Sequence, residues 1–196
     1  MFDDAAAIAA TVTWLADDGK DVVLVLSSYA GFPGTEGSFG LSKASRTKQG
    51  QSGGIIGIVY VAAFLPSVGD SVAELNGRMP GDSEYIPLAY SPEFAAAVFN
   101  DIESTEEQKK YFEMMNNHSR VSFEGQLKHE GWKEVKCYYF WPENDHVIAP
   151  DLQKKLITKA REQGADIEVF ESTAGHVPML GREKEVADLI VKAAGL

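Results

Sequence analysis

The chain has 196 residues, 44% of them hydrophobic, and carries a formal net charge of −11 from 29 acidic against 18 basic residues. That length and apolar share suffice for one domain with a sizeable core. The acidic balance argues against nucleic acid or an anionic membrane as partner, and a single cysteine excludes an internal disulfide.

The first residues, Met1-Phe2-Asp3-Asp4, are acidic where a secretory leader would be basic, and no apolar run approaches the roughly 20 residues that span a bilayer. The expected compartment is therefore cytoplasmic. Asp3 or Asp4 is placed to cap a helix that runs through about Ala16 and stops at Gly19. Residues 22–26 form a valine-rich apolar run that predicts a short buried strand. It leads into Ser27-Ser28-Tyr29-Ala30-Gly31 and then into a helix predicted from Pro33 to about Lys48.

A serine on a sharp strand-to-helix turn holds its hydroxyl clear of the backbone, which is how a nucleophile elbow is built. Ala30 and Gly31 supply the small side of the G-x-S-x-G pattern, while Leu26 stands where its first glycine belongs. The N–H of Tyr29, next after Ser28, opens the following helix and faces any oxyanion formed beside the serine. The basic cluster from Lys43 to Lys48 is short and reads as a solvated helix face.

Residues 49–54 read as a turn and residues 55–62 as the next strand, apolar throughout as a parallel strand covered on both faces would be. Gly53 and Gly54 precede this strand instead of following it, so they do not make a dinucleotide fingerprint. From 66 to 132 the strand-helix alternation is lost. This stretch holds Tyr85, Tyr90, Phe94, Phe99, Tyr111 and Phe112, which pack its helices together or line a pocket.

Residues 135–141 (VKCYYFW) predict a buried strand in which Cys137 is a small core residue. A polar turn with Asp145 and His146 follows, and then a helix from Asp151. Residues 167–170 predict a last strand, ending in a loop with Gly175 and His176. Ser28, Asp145 and His176 thus each lie just past the C-terminal end of a predicted strand, where an open α/β sheet places its ligands.

The residue types fit nucleophilic chemistry. A serine hydroxyl attacks only if a base takes its proton, a histidine titrates near neutrality, and a carboxylate can hold the imidazole in one tautomer. His118, His129 and His146 offer no equal alternative, and no histidine pair sits at i, i+4. With no Cys-x-x-Cys or P-loop either, no metal and no cofactor are expected.

The chain order Ser, Asp, His resembles that of the α/β-hydrolase superfamily. The matching segments are LVLSSYAGFPGTEG, IVYVAAFLP, YFWPENDHVIAPDLQKKL and STAGHVPML, followed by a helix predicted over 182–194. They cover nearly the whole chain and are most similar to the branch of fungal esterase-like proteins, plant methyl esterases and hydroxynitrile lyases. The resemblance implies a partial α/β-hydrolase fold with a mostly parallel sheet, flanking helices and residues 1–196 as one domain. Residues 66–132 would be its helical lid insertion.

It further implies Ser28 as nucleophile, His176 as base, Asp145 as its partner and Tyr29 N–H as oxyanion donor. Members generally carry further strands, and a loop with the second oxyanion donor, ahead of the nucleophile strand. This chain starts at the helix before that strand, and Ser27 replaces the usual His or Gly. Half of the oxyanion hole is thus expected to be missing.

The function these features imply is a serine hydrolase acting on a small ester or lactone. The alternatives are a hydrolase-derived lyase, isomerase or cyclase with His176 as acid/base, and a non-catalytic ligand-binding remnant. The implied partner is a small-molecule substrate. An unpaired apolar edge at residues 22–26 would be a template for a second copy, so a homodimer is expected unless the Ala-rich first helix folds across it.

Overall fold

The computed structural model describes residues 1–78 and 81–196. Met79 and Pro80, part of the expected lid, lie outside the described residues. Helix α1 (Phe2–Asp17) begins one residue before the expected cap. Met1 is its N-cap, and Asp3 and Asp4 sit inside the first turn, where carboxylates favour the helix dipole. Strand β1 (Asp21–Ser27) follows, then a single 3₁₀ turn at Ser28–Ala30 and helix α2 (Gly31–Gly37).

The one helix expected from Pro33 to Lys48 is two. Gly40 takes φ +75° after α2, and Ser42 opens α3 (Lys43–Lys48) by accepting from the Ser45 N–H at 3.0 Å. Serine is a favoured N-cap for that reason, and glycine alone enters the left-handed region without strain.

Strand β2 (Gly54–Val61) leads to a run of short elements: α4 (Val72–Asn76), β3 (Tyr85–Ile86), α5 (Pro92–Val98), α6 (Thr105–Glu113), β4 (His118–Ser119) and α7 (Arg120–Glu124). Strands β3 and β4 pair antiparallel, a small ladder the all-helical expectation for this segment did not contain. Trp132, fully buried, donates its indole N–H to the Pro66 carbonyl at 2.9 Å and so staples the two ends of the segment together. The chain then forms β5 (Cys137–Pro142), α8 (Pro150–Glu162), β6 (Ile167–Ser172), α9 (Pro178–Gly181) and α10 (Glu183–Ala193).

The main sheet has the order β1-β2-β5-β6, and all its pairings are parallel. Side chains alternate across it. Ile58 and Tyr60 of β2 face a core with Val12 of α1, Phe32 of α2 and Leu156, Ile157 and Ala160 of α8. Val59 and Val61 face the other way, against Val186, Leu189 and Ala193 of α10. Cover on both faces explains why β2 and β5 read as unbroken apolar runs.

Among the described residues nothing pairs with the outer edge of β1. An apolar cavity of about 410 Å³ runs beside it, lined by residues that include Ile8, Val12, Leu15, Val22 and Leu24. Arg46 departs from the solvated face expected of Lys43–Lys48. Its side chain is 3% exposed and donates to Asp17 Oδ1 at 2.6 Å and to the Ser52 carbonyl at 3.1 Å. No helix among the described residues is long and apolar enough to cross a membrane.

Candidate active site

Ser28 leaves the end of β1 with φ +54°, a conformation that costs a non-glycine residue about 1–3 kcal/mol and persists only where the surroundings enforce it. The enforcing contacts are visible. The Phe64 N–H donates to the Ser28 carbonyl at 3.2 Å. Behind the turn, α2 approaches so closely that a Cβ at Gly31 would lie 1.9 Å from the Phe64 carbonyl oxygen, and one at Gly34 would lie 2.1 Å from a Leu26 methyl. Strand, turn and helix are locked, and the hydroxyl projects from the strained residue.

Beyond the ends of β5 and β6 lie the two other residues expected at the site. Ser28 Oγ is 3.0 Å from His176 Nε2, and His176 Nδ1 is 3.0 and 2.9 Å from the two Asp145 oxygens. Sequence separations of 148 and 31 residues close into one hydrogen-bonded line. Asp145 and His176 are buried, whereas Ser28 is half-buried.

Asp145 also accepts from the Val147 and Ile148 N–H groups at 2.8 and 2.9 Å and from Gln153 Nε2 at 2.8 Å. With donors on every side the carboxylate serves as acceptor alone. It therefore holds the proton of the imidazole on Nδ1 and leaves Nε2 to accept from the Ser28 hydroxyl.

Gln153 is a site residue that the sequence reading missed. It is wholly buried, donates to the Ile148 carbonyl at 2.7 Å as well as to Asp145, and accepts at Oε1 from the Tyr139 hydroxyl at 3.0 Å. Tyr139 also reaches the Ala63 carbonyl, and burial first, then the nearby Asp145 charge, pushes its phenol far above the usual value. A signal existed in the sequence. Gln153 falls on the stripe of Leu156, Ile157 and Ala160, a polar residue on the apolar face of an amphipathic helix.

Tyr29 is the middle residue of the 3₁₀ turn, next after Ser28. Its ring packs at 4.5 Å on His118 and 5.5 Å on Phe123, and its hydroxyl donates to Asp4 Oδ2 at 2.7 Å. Burial, and next the Asp4 carboxylate, raise the phenol well above its ordinary value.

The remaining candidates are elsewhere. His146 is exposed, and His129 Nδ1 sits 2.8 Å from Glu36 Oε1 on the other side of α2. Cys137 is buried in β5, and burial pushes its thiol up to about 12. Phe99 and Phe112 pack into a small core with Ala95 and Val98 that Val147 and Val177 join, while Tyr85 and Tyr90 are largely exposed.

The model of the alpha/beta hydrolase family matches residues 1–189. The chain belongs to the alpha/beta hydrolase family. It is 28% identical over 202 residues to a protein named probable hydrolase R7 of Phoma sp., spanning all of this chain and 79% of that protein. It is 24% identical over 200 residues to the alpha/beta hydrolase nvfD of Aspergillus novofumigatus, covering 98% of this chain and 78% of that one.

Among solved structures, polyneuridine aldehyde esterase superposes with a TM-score of 0.68 at 19% identity, over 97% of this chain and 78% of the enzyme. An extracellular alpha/beta-hydrolase from a Paenibacillus species, described as homologous to tobacco salicylic acid binding protein 2, gives 0.67 at 19%, over 96% and 77%. These likenesses place the parallel sheet and its flanking helices in the α/β-hydrolase fold.

Proposed function

We propose that the protein is a serine hydrolase of a small ester or lactone, with Ser28 as nucleophile, His176 as base and Asp145 as the group that orients the base. The observation that carries this reading is the hydrogen-bonded line from the strained Ser28 through His176 Nε2 and Nδ1 to Asp145. Names of relatives and structural neighbours, a probable hydrolase and an esterase among them, point the same way.

As Ser28 Oγ attacks the substrate carbonyl carbon, its proton passes to His176 Nε2, and the carbonyl oxygen takes up the negative charge. The Tyr29 N–H stabilises that oxyanion; one such donor typically contributes about 10²- to 10³-fold to kcat. The imidazolium, steadied by Asp145, returns its proton to the leaving alkoxide as the tetrahedral intermediate collapses to the acyl-serine. Water activated by the same His176 then releases the acid and restores Ser28.

The test is labelling of the intact protein with a fluorophosphonate, read by mass, together with turnover of a small aryl ester. Wild type should gain one adduct. Ser28→Ala and His176→Ala should each lose about 10³-fold or more in turnover, and the double mutant should lose little further, because such residues act as a unit. Full turnover in Ser28→Ala together with loss in His176→Ala would instead support acid/base chemistry without acylation.

A further inference from the structure

One dipeptide just beyond the end of α5 reaches both loops that carry Asp145 and His176. Asn100 Nδ2 donates to the carbonyl of Asn144, the residue before Asp145, at 2.8 Å. Asp101 Oδ2 accepts from the N–H of Gly175, the residue before His176, at 2.7 Å. Two adjacent side chains thus grip the backbone one residue short of each reacting group. The fit is close, since a Cβ at Gly175 would lie 1.8 Å from Asn100 Oδ1 and one at Gly181 would lie 2.5 Å from Asp101 Cβ. Asn100 Oδ1 is buried with no hydrogen-bond partner among the described residues, so the Nδ2 end alone sets the orientation of the amide. Flipping it would press two carbonyl oxygens together.

The same segment packs behind the loops. Val98 and Phe99, immediately before the dipeptide, belong to the small core that Val147 and Val177 join, two residues past Asp145 and one past His176. Ahead of this segment, the Phe64 N–H holds the Ser28 carbonyl. The two loops are tied to each other by the bonds Asn144 N–H to the Ala174 carbonyl, 3.0 Å, and Asn144 Nδ2 to the Thr173 carbonyl, 2.7 Å. Those bonds fix the loops as a pair; Asn100 and Asp101 fix the pair to the segment between α5 and α6.

We infer that Asn100 and Asp101 are positioning residues that set the distance between His176 Nε2 and Ser28 Oγ. This rests on the reading of Ser28, His176 and Asp145 as a working triad. Loss of either bond frees the loop backbone beside a catalytic group, and a displacement near 1 Å at such a site can cost about 10² in rate. Asp101→Asn keeps an acceptor oxygen for Gly175, whereas Asp101→Ala and Asn100→Ala remove the contact.

The test follows the fluorophosphonate labelling rate against pH for these three variants of the full chain, alongside thermal unfolding. The imidazole proton shared by His176 and Asp145 is observed by NMR on the same samples. Asp101→Ala and Asn100→Ala should label about 10²-fold more slowly with a displaced pH profile and an altered imidazole resonance, and Asp101→Asn should restore most of the rate. A labelling rate and resonance indistinguishable from wild type in both alanine variants would overturn the inference. So would a rate loss that only tracks the unfolded fraction and leaves pH profile and resonance intact. If wild type itself fails to label, the hydrolase reading falls instead, and the resonance alone then judges the two residues.

Discussion

Gln153 shows how one buried amide braces the site from behind, through its hydrogen bond to Asp145. It satisfies one oxygen of Asp145 and is itself satisfied by Tyr139, so removing it leaves a buried carboxylate short of a donor. Hydrogen bonds to charged groups contribute about 1.5–3 kcal/mol, and Gln153→Leu should lower stability by about that amount. Urea unfolding measures it; an unchanged midpoint would show that the amide is dispensable.

His118 supports a prediction of pH dependence. The Ser122 hydroxyl donates to the Ser119 carbonyl at 2.6 Å and lies 2.8 Å from His118 Nε2. Burial lowers the pKa of this ring in the folded state, with Asp4 opposing. The unfolded chain, titrating near the ordinary value of about 6.5, then binds the proton more readily, and stability falls as pH drops through that value. His118→Gln should flatten the difference in Tm between about pH 7.5 and about pH 5.5. Parallel slopes in the two proteins would dismiss the effect.

At the scale of elements, the join between α1 and α3 is held by an ion pair with unequal partners. The Arg46 side chain is 3% exposed and that of Asp17 is 63% exposed. Deleting Asp17 leaves a buried guanidinium whose remaining acceptor among the described residues is the Ser52 carbonyl, whereas deleting Arg46 leaves a carboxylate that water can solvate. Asp17→Ala should therefore cost about 1–3 kcal/mol, more than the apolar replacement Arg46→Met. The reverse order in urea unfolding would refute the assignment.

This pair also marks where sequence reading stopped. Strands β2 and β5 were legible because cover on both faces leaves an unbroken apolar run, and β1 and β6 as short runs of apolar and β-branched residues. Ser28, Asp145 and His176 were legible because each follows a predicted strand. Arg46 was not, since its burial depends on α1 and the 49–54 turn folding over a basic segment. The break between α2 and α3 was carried by Gly40, whose conformation only the fold demands. Asn100 and Asp101 lay hidden in a loop between two short helices, their partners 44 and 74 residues away.

For the whole molecule, the outer edge of β1 is the feature that bears on assembly. Unpaired edges invite pairing, and two-fold symmetry is the commonest closed arrangement. A second copy along this edge is our proposal, expected to show as a concentration-dependent mass above 21.3 kDa in light scattering. A mass of 21.3 kDa across the whole dilution series, with slowly exchanging amides in Asp21–Ser27, would sink it.

On the proposed assignment, the separation of 148 residues between Ser28 and His176 also has a temporal meaning. At about 5–20 residues per second a ribosome makes the serine about seven to thirty seconds before the histidine. Through that interval the nascent chain carries an alcohol with no base to awaken it. The proposed reactivity is thus switched on only when the fold is completed, since Ser28 meets His176 only after the last strand has docked.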